Sequence, residues 1–414
     1  MSRRVVITGW GLVSSLSCDV EDCWKKVLAG ESGIRQINLF ETEDIRVRIG
    51  GDLPEWDASD LVGAKEANKI DRFTQFALAS AAKAFESAGI EPRGHQNAQR
   101  FGCVIGSGIG GMTTFCEQME KMVLKGPRRV SPLTIPKLML NAGGGNIAIE
   151  YGLQGPNYSV ATACASATNA MGNSLDLIQK GICDVVVTGG SEAALSRLAL
   201  AAFANMKALS SRTDDPTKAS RPFDADRDGF VFSEGAGILV FEELQHALDR
   251  KATILAEVVG FGTSCDAGHI TSPDENGVGA AAAMQAALEN ANLEPSAIDY
   301  INAHGTSTPL GDKAETKAVK TVFGDSAKRL SISSTKSQMG HSLGASGGIE
   351  LILTTKALLE SVVPQTINLD NPDPDCDLDY TPNEPKERKL EYAMSNSFGF
   401  GGHNASIVVR KFHG

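Results

Sequence analysis

Positive charge is in deficit in this 414-residue chain: 39 Lys and Arg face 50 Asp and Glu, a net charge of −11. A globally acidic surface repels phosphate, which argues against a nucleic-acid binder but still allows a local basic patch for an acidic partner. No segment approaches the roughly 18 consecutive apolar residues of a membrane helix, so no membrane span is expected. Aromatic residues are scarce at 6%, and no low-complexity or single-sign charge run appears. With 42% hydrophobic and 21% charged residues, the composition excludes disorder, collagen and coiled coil. The eight cysteines form no CxxC and have no histidine at zinc spacing, which argues against a structural zinc site. A chain of this length needs no staples, so reduced thiols and a cytoplasmic location are expected.

Glycine, by contrast, is abundant at 43 residues. That suits an α/β enzyme with many backbone turns around ligands. The length suggests about two to three domains, or one large duplicated unit. At the N-terminus, Arg3 and Arg4 precede an apolar stretch ending in Leu16-Ser17-Cys18, which loosely mimics a lipoprotein signal. Gly9, Trp10 and Gly11 interrupt it, and residues 3–8 read better as a buried strand leading into a Gly turn. Further on, short β-branched runs alternate with helical periodicity. Helices are predicted over 71–88, 165–179, 279–290, 312–323 and 347–360, and strands over 102–105, 157–163, 184–188, 237–242, 254–260, 300–303, 330–334, 392–396 and 405–410. Such alternation implies mostly parallel sheets covered by helices. Residues 210–228 and 369–379 read as polar loops. A division near residue 250 separates an N-terminal part, 1–250, from a C-terminal part, 251–414. Each contains a strand running into a Gly-bearing loop, at 102–111 and 300–311. This hints at duplication, although no identity between the parts is evident by eye.

Cys164 lies where the run Tyr158-Ser159-Val160-Ala161-Thr162-Ala163 meets a small-residue helix start. There the positive end of the helix dipole would favour a thiolate, and turn amides could hold an oxyanion. Alone, Cys164 reads more readily as a buried, inert thiol, the commonest fate of a free cysteine. Two histidines shift the balance. His304, in Ala303-His304-Gly305-Thr306-Ser307-Thr308, and His341, in Lys336-Ser337-Gln338-Met339-Gly340-His341, each follow a predicted strand. The carboxyl ends of strands are where α/β proteins bind ligands.

These segments, together with Asn396-Ser397-Phe398-Gly399-Phe400-Gly401-Gly402, resemble the β-ketoacyl-ACP synthase family, and in particular its elongating type II branch. The likeness runs from Val5-Val6-Ile7-Thr8-Gly9 to Ile407-Val408-Val409. It implies a thiolase fold: two related βαβαβαβ halves in a five-layer α-β-α-β-α arrangement, usually as a homodimer. It also implies a chemistry. Cys164 takes an acyl chain from acyl carrier protein (ACP) as a thioester; malonyl-ACP loses CO2; and the carbanion attacks that thioester to give 3-oxoacyl-ACP.

By the same resemblance, neutral His304 and His341 stabilise the enolate, with Lys336 nearby to disfavour their protonation. The N–H groups of Cys164 and Phe400 form an oxyanion hole, and Phe400 gates the acyl channel. Thr306 and Thr308 hold pantetheine amides, and Ile109, Phe203 and Phe398 line the substrate pocket. Glu350 is placed with the substrate-side residues, paired to Lys336. Thr134 reaches toward the partner subunit's pocket. No cofactor is required, but Asn302, Glu350, Ser395 and Asn396 match a structural Na+ or K+ site. A basic rim for ACP comprises Lys65, Lys69, Arg128, Arg129 and Lys207, with Lys65 and Lys69 on one helical face.

Three positions depart from the family pattern. Asn68 stands where a base is frequent, Ala167 where Gly is usual, and His403 where Thr is usual beside the gate. Two rival readings are disfavoured. Priming synthases use Cys-His-Asn, and His341 occupies the Asn place. Thiolases need a second reactive cysteine, and Cys376 sits in an Asp/Pro loop. A non-catalytic chain-length partner would lack Cys164.

Overall fold

The computed structural model describes residues 3–414. Five strands build the first half: β1 (Val5–Val13), β2 (Phe101–Gly106), β3 (Asn157–Val160), β4 (Val185–Glu192) and β5 (Gly235–Glu243). Five more build the second: β6 (Ala256–Cys265), β7 (Tyr300–Asn302), β8 (Ser331–Ser333), β9 (Tyr392–Gly399) and β10 (His403–Arg410). The first half has the spatial order β3-β2-β4-β5-β1 and the second β8-β7-β9-β10-β6, the same order displaced by five strands. In each half four strands run in one direction, and the fifth, β5 or β10, runs antiparallel between two of them. Each half thus carries one strand beyond the expected βαβαβαβ run. Residues Val5–Ile7 of β1 pair with Ala256–Val258 of β6 and join the halves into one ten-stranded sheet.

Six helices cover these strands: α1 (Arg72–Ala88), α2 (Ala142–Tyr151), α3 (Ser166–Gln179), α4 (Val278–Ala291), α5 (Pro309–Phe323) and α6 (Ser346–Glu360). Helices α1 and α2 pack on the outer face of the first half, and α4, with α5 beside it, on the outer face of the second. Between the halves lie α3 and α6, each touching strands of both. This is the five-layer thiolase arrangement. Helix α6 is buried from Ser346 through Leu358, as expected of a helix enclosed on all sides. The periodicity of α1 is terminated as its sequence suggests. The Asp71 carboxylate accepts from the Phe73 N–H at one end, and Gly89 turns left-handed, φ +62°, at the other.

The expected Gly turn at residues 9–11 does not occur, because β1 continues to Val13. Its glycines serve close packing. A Cβ on Gly9 would lie 2.2 Å from the Ala84 carbonyl oxygen, and one on Gly11 2.2 Å from that of Ser80, both on α1. The second half repeats the device. Cβ atoms on Gly260 and Gly262 would lie 2.4 and 2.2 Å from the carbonyl oxygens of Ala287 and Ala283 on α4. Between each glycine pair stands an aromatic that reaches the opposite half's central helix. Trp10 lies under Lys356 of α6, and Phe261 packs where Gly172 of α3 leaves no Cβ. The match of Ile7-Thr8-Gly9-Trp10-Gly11 to Val258-Val259-Gly260-Phe261-Gly262 is the duplication signal that visual comparison missed. The two polar loops fold together around Arg227, whose buried guanidinium pairs with Asp312 and Asp373.

Candidate active site

Cys164 occupies the turn between β3 and α3. Ala163 adopts φ +50°, and the Ser166 hydroxyl ties the turn by donating to the Ala163 carbonyl at 2.7 Å and accepting from the Thr162 N–H at 2.9 Å. The N–H groups of Cys164 and Phe400 both point at the sulfur. The expectation of a resting thiolate is not met. Burial pushes the thiol up to about 12, outweighing the pull of Lys336 and the two amides, because a buried anion loses its hydration.

His341 comes from the second half. Its Nε2 lies 3.0 Å from Cys164 Sγ and its Nδ1 2.9 Å from Ser346 Oγ. His304 leaves the end of β7, its ring centroid 5.4 Å from that of His341 and its plane nearly perpendicular at 85°. One ligating atom from each of Cys164, His304 and His341 falls within a 4.8 Å cluster. Burial holds both imidazoles well below their ordinary range, and the Lys336 ammonium adds to the effect. Both rings are therefore neutral.

The backbone under His304 is fixed by Glu315 of α5. This carboxylate accepts from the N–H groups of His304 and Gly305 at 2.9 and 2.8 Å. Neither Glu315 nor Ser346 was singled out in the sequence. Glu315 lies eleven residues past His304, one helix away, and carries no motif of its own.

Lys336 and Glu350 are fully enclosed and paired to each other, as expected. Neither lines the cavity, so neither is placed to touch a substrate held there, against the expectation for Glu350. The cavity itself measures about 680 Å³. Cys164, His304 and His341 line it together with Ile109, Phe203, Phe398 and Phe400, and so do Thr306 and Thr308, whose hydroxyls lie 3.1 Å apart. Phe400 is half-buried in a turn where Gly401 and Gly402 have φ +84° and +73°. Its ring centroid is 6.5 Å from that of Phe203. His403 lies against this turn: a Cβ on Gly401 would meet its imidazole at 3.0 Å. Ala167 is buried against Gly190 of β4.

All five residues of the expected basic rim are exposed, and Lys207 reaches the cavity wall. The shared helical face of Lys65 and Lys69 is not found. The helix is a single turn, Ala64–Ala67, and Lys69 lies beyond it, paired with Glu66 at 2.6 Å. Asn68 is exposed between them, and Thr134 is half-buried at the start of a short helix, Thr134–Leu138. Cys376 is buried in the second half's core and contributes nothing to the cavity. All eight cysteines are free.

Residues 2–247 match the family Beta-ketoacyl synthase, N-terminal domain, and residues 255–370 match Beta-ketoacyl synthase, C-terminal domain. The chain belongs to the β-ketoacyl synthase family. It is 47% identical over 411 residues to 3-oxoacyl-(acyl-carrier-protein) synthase 2 of Staphylococcus aureus, covering 99% of both chains. With the protein of the same name from Synechocystis it shares 45% over 410 residues, covering 99% of this chain and 98% of the other. Among solved structures, the ishigamide ketosynthase/chain length factor superimposes with a TM-score of 0.93 at 34% identity over the full length of both chains. A type II polyketide ketosynthase in complex with its acyl-carrier protein gives 0.92 at 32%, again over both full lengths. This family member brings Cys164, His304 and His341 together on the wall of one cavity.

Proposed function

We propose that this synthase elongates fatty acyl chains by decarboxylative condensation of malonyl-ACP with an acyl group held on Cys164. The observation that carries the reading is the convergence of one thiol and two neutral imidazoles on one cavity wall. Loading exchanges one thioester for another: Cys164 Sγ bonds to the acyl carbon, and the thiol proton ends on the departing carrier thiol. The amides of Cys164 and Phe400, already aimed at the sulfur, receive the tetrahedral oxyanion. A sulfur serves both half-reactions because it is a good nucleophile and a good leaving group.

In the second half-reaction the malonyl thioester oxygen accepts from His304 and His341 as CO2 leaves. Neutral N–H donors suit an oxygen that becomes negative only in the transition state. The Ser346 hydroxyl, donating to His341 Nδ1, fixes the proton on Nε2. The enolate carbon then bonds to the Cys164-bound carbonyl and expels the sulfur, which takes up one proton. Lys336 keeps both imidazoles neutral. Thr306 and Thr308 hold the pantetheine arm, and Phe400 swings to admit the acyl chain.

Several finer assignments belong to this reading. The carrier docks on Lys65, Lys69, Arg128, Arg129 and Lys207. The compartment is the cytoplasm, consistent with eight unpaired cysteines. The synthase is a homodimer. Its outermost strand β3 pairs on one side only, with β2, and carries exposed Tyr158, and exposed Ile149 lies on α2, which packs against it. An apolar edge of this kind invites pairing with a second copy.

A monovalent cation is the remaining assignment. Asn302 and Ser395 pair across β7 and β9. The side-chain oxygen and nitrogen of Asn302, Ser395 Oγ and Glu350 Oε2 are all buried without a hydrogen-bond partner. Oxygen donors of this type fit Na+ or K+, which would supply charge balance beside Glu350. The Asn396 side chain donates to Glu315 and accepts from Ser406, which leaves one lone pair on its oxygen for a cation.

Mass spectrometry after incubation with long-chain acyl-ACP tests the central reading. We expect an acyl adduct on Cys164 that is absent in Cys164→Ala. An unmodified protein that still binds ACP would instead make the chain a non-catalytic partner.

A further inference from the structure

Glu192 ends β4 with its side chain fully buried and, among the described residues, forms no salt bridge. Every contact it makes is with a donor. Oε1 accepts from Ser107 Oγ at 3.0 Å and from the N–H groups of Ile109 and Gly110 at 3.2 and 3.3 Å. Oε2 accepts from the N–H groups of Gly108 at 2.6 Å and Gly344 at 3.2 Å. Burial pushes this carboxyl's pKa up, and the donors around it act against that shift because they favour the ionised form.

The donors come from both halves of the molecule. The segment 107–110 follows β2 and carries Ile109 into the cavity; Gly344 belongs to the turn just after His341, whose Leu343 also lines the cavity. The two backbones meet at the carboxylate with no room for side chains. A Cβ on Gly344 would lie 2.3 Å from the Gly108 nitrogen and 2.7 Å from Glu192 Oε2.

We propose that Glu192 is a positioning residue of the condensing reaction: it clamps the two loops that form the acyl pocket. The inference rests on the proposed acylation of Cys164. Glu192 touches no substrate atom. It sets the distance between Ile109 and Leu343, and hence the width of the channel the chain must enter.

Two variants test the clamp. Glu192→Gln keeps the length but puts a donor amide where an acceptor oxygen faced backbone N–H groups. kcat/KM for acyl loading is expected to drop about tenfold. Decarboxylation of malonyl-ACP, which leaves the acyl pocket empty, is expected to stay within about twofold. Glu192→Asp keeps both acceptor oxygens but cannot span both loops, and loading stays impaired. Unchanged loading in both variants, or equal losses of loading and decarboxylation, would overturn the proposal.

Should Glu192→Gln fail to fold, Ser107→Ala removes one donor and leaves the carboxylate in place. Loading should then fall about threefold with decarboxylation intact; unchanged loading rejects the clamp. A wild-type protein that neither acylates Cys164 nor decarboxylates malonyl-ACP would defeat the condensing reading itself.

Discussion

His341 Nε2 stands 3.0 Å from Cys164 Sγ, although the two residues are 177 positions apart in the chain. Cys164 is carried by the first half of the molecule and His341 by the second. The pair exists only because α3 and α6 are pressed together in the middle layer, so the active centre is a product of the docked halves. The two imidazoles reach the cavity by different supports, Glu315 beneath His304 and Ser346 behind His341.

Removing either ring should therefore damage one half-reaction more than the other. His304→Ala and His341→Ala are each expected to lower malonyl-ACP decarboxylation by about 10²–10³-fold, the scale of losing one oxyanion donor. Cys164 acylation should fall much less, since two backbone amides hold that oxyanion. Carbon dioxide release and adduct formation, measured on the same variants, separate the two effects. Conversely, Cys164→Gln should keep decarboxylation and lose all condensation.

Lys336 gives a prediction with a definite sign. Burial is the main cause of the low imidazole pKa values and the Lys336 charge adds to it, so removing Lys336 lets them rise part of the way toward the ordinary 6.5. The rings then protonate at higher pH and cease to be neutral donors. In Lys336→Met the acid limb of the kcat/KM profile should move to higher pH, with activity near pH 6 lost before activity near pH 8. Glu350 would be left buried without its partner, at a cost of about 3–5 kcal/mol visible in thermal unfolding. Lys336→Arg should keep the profile close to wild type.

Much of this was legible in the sequence. Helix α1 declared itself through Asp71, its apolar periodicity and Gly89, and the trio stood out because Cys164, His304 and His341 each sit at the exit of a strand. Other features were not legible. A carboxylate that binds backbone amides, as Glu192 and Glu315 do, has no spacing signature, because its partners are main-chain atoms of whatever residue the fold delivers. The state of the Cys164 thiol was misread for a related reason: a local helix start is visible in sequence, but the burial that outweighs it comes from β9 and the second half. Lys69 was assigned to a helix because i, i+4 spacing says nothing about where a one-turn helix ends.

The buried, unpartnered atoms of Asn302, Ser395 and Glu350 predict a response to salt identity rather than to ionic strength. Replacing choline chloride by potassium or sodium chloride at constant ionic strength should stabilise the protein by about 1 kcal/mol, a shift of about one or two degrees in Tm. Asn302→Leu should lose that response. Equal melting temperatures for the wild type in all three salts would remove the cation from the reading.

The glycine pairs of β1 and β6 test whether the two halves are equivalent in packing as well as in strand order. In each, a strand backbone lies directly on helix carbonyls, and an added Cβ would penetrate to 2.2 Å at Gly9 and 2.4 Å at Gly260. Neither residue has a positive φ, so a loss on substitution measures crowding and not backbone strain. Gly9→Ala and Gly260→Ala should each destabilise by at least about 1–3 kcal/mol, the usual cost of overpacking, because the opposing atoms are main chain and cannot rotate away. Gly268→Ala, on an exposed loop with its nearest neighbour 3.9 Å away, should change stability by less than about 0.5 kcal/mol. Chemical denaturation of the three variants decides the matter. A large loss at Gly9 with none at Gly260 would mean that the second half accommodates the methyl group by moving α4, and that the repeat is preserved in strand order alone.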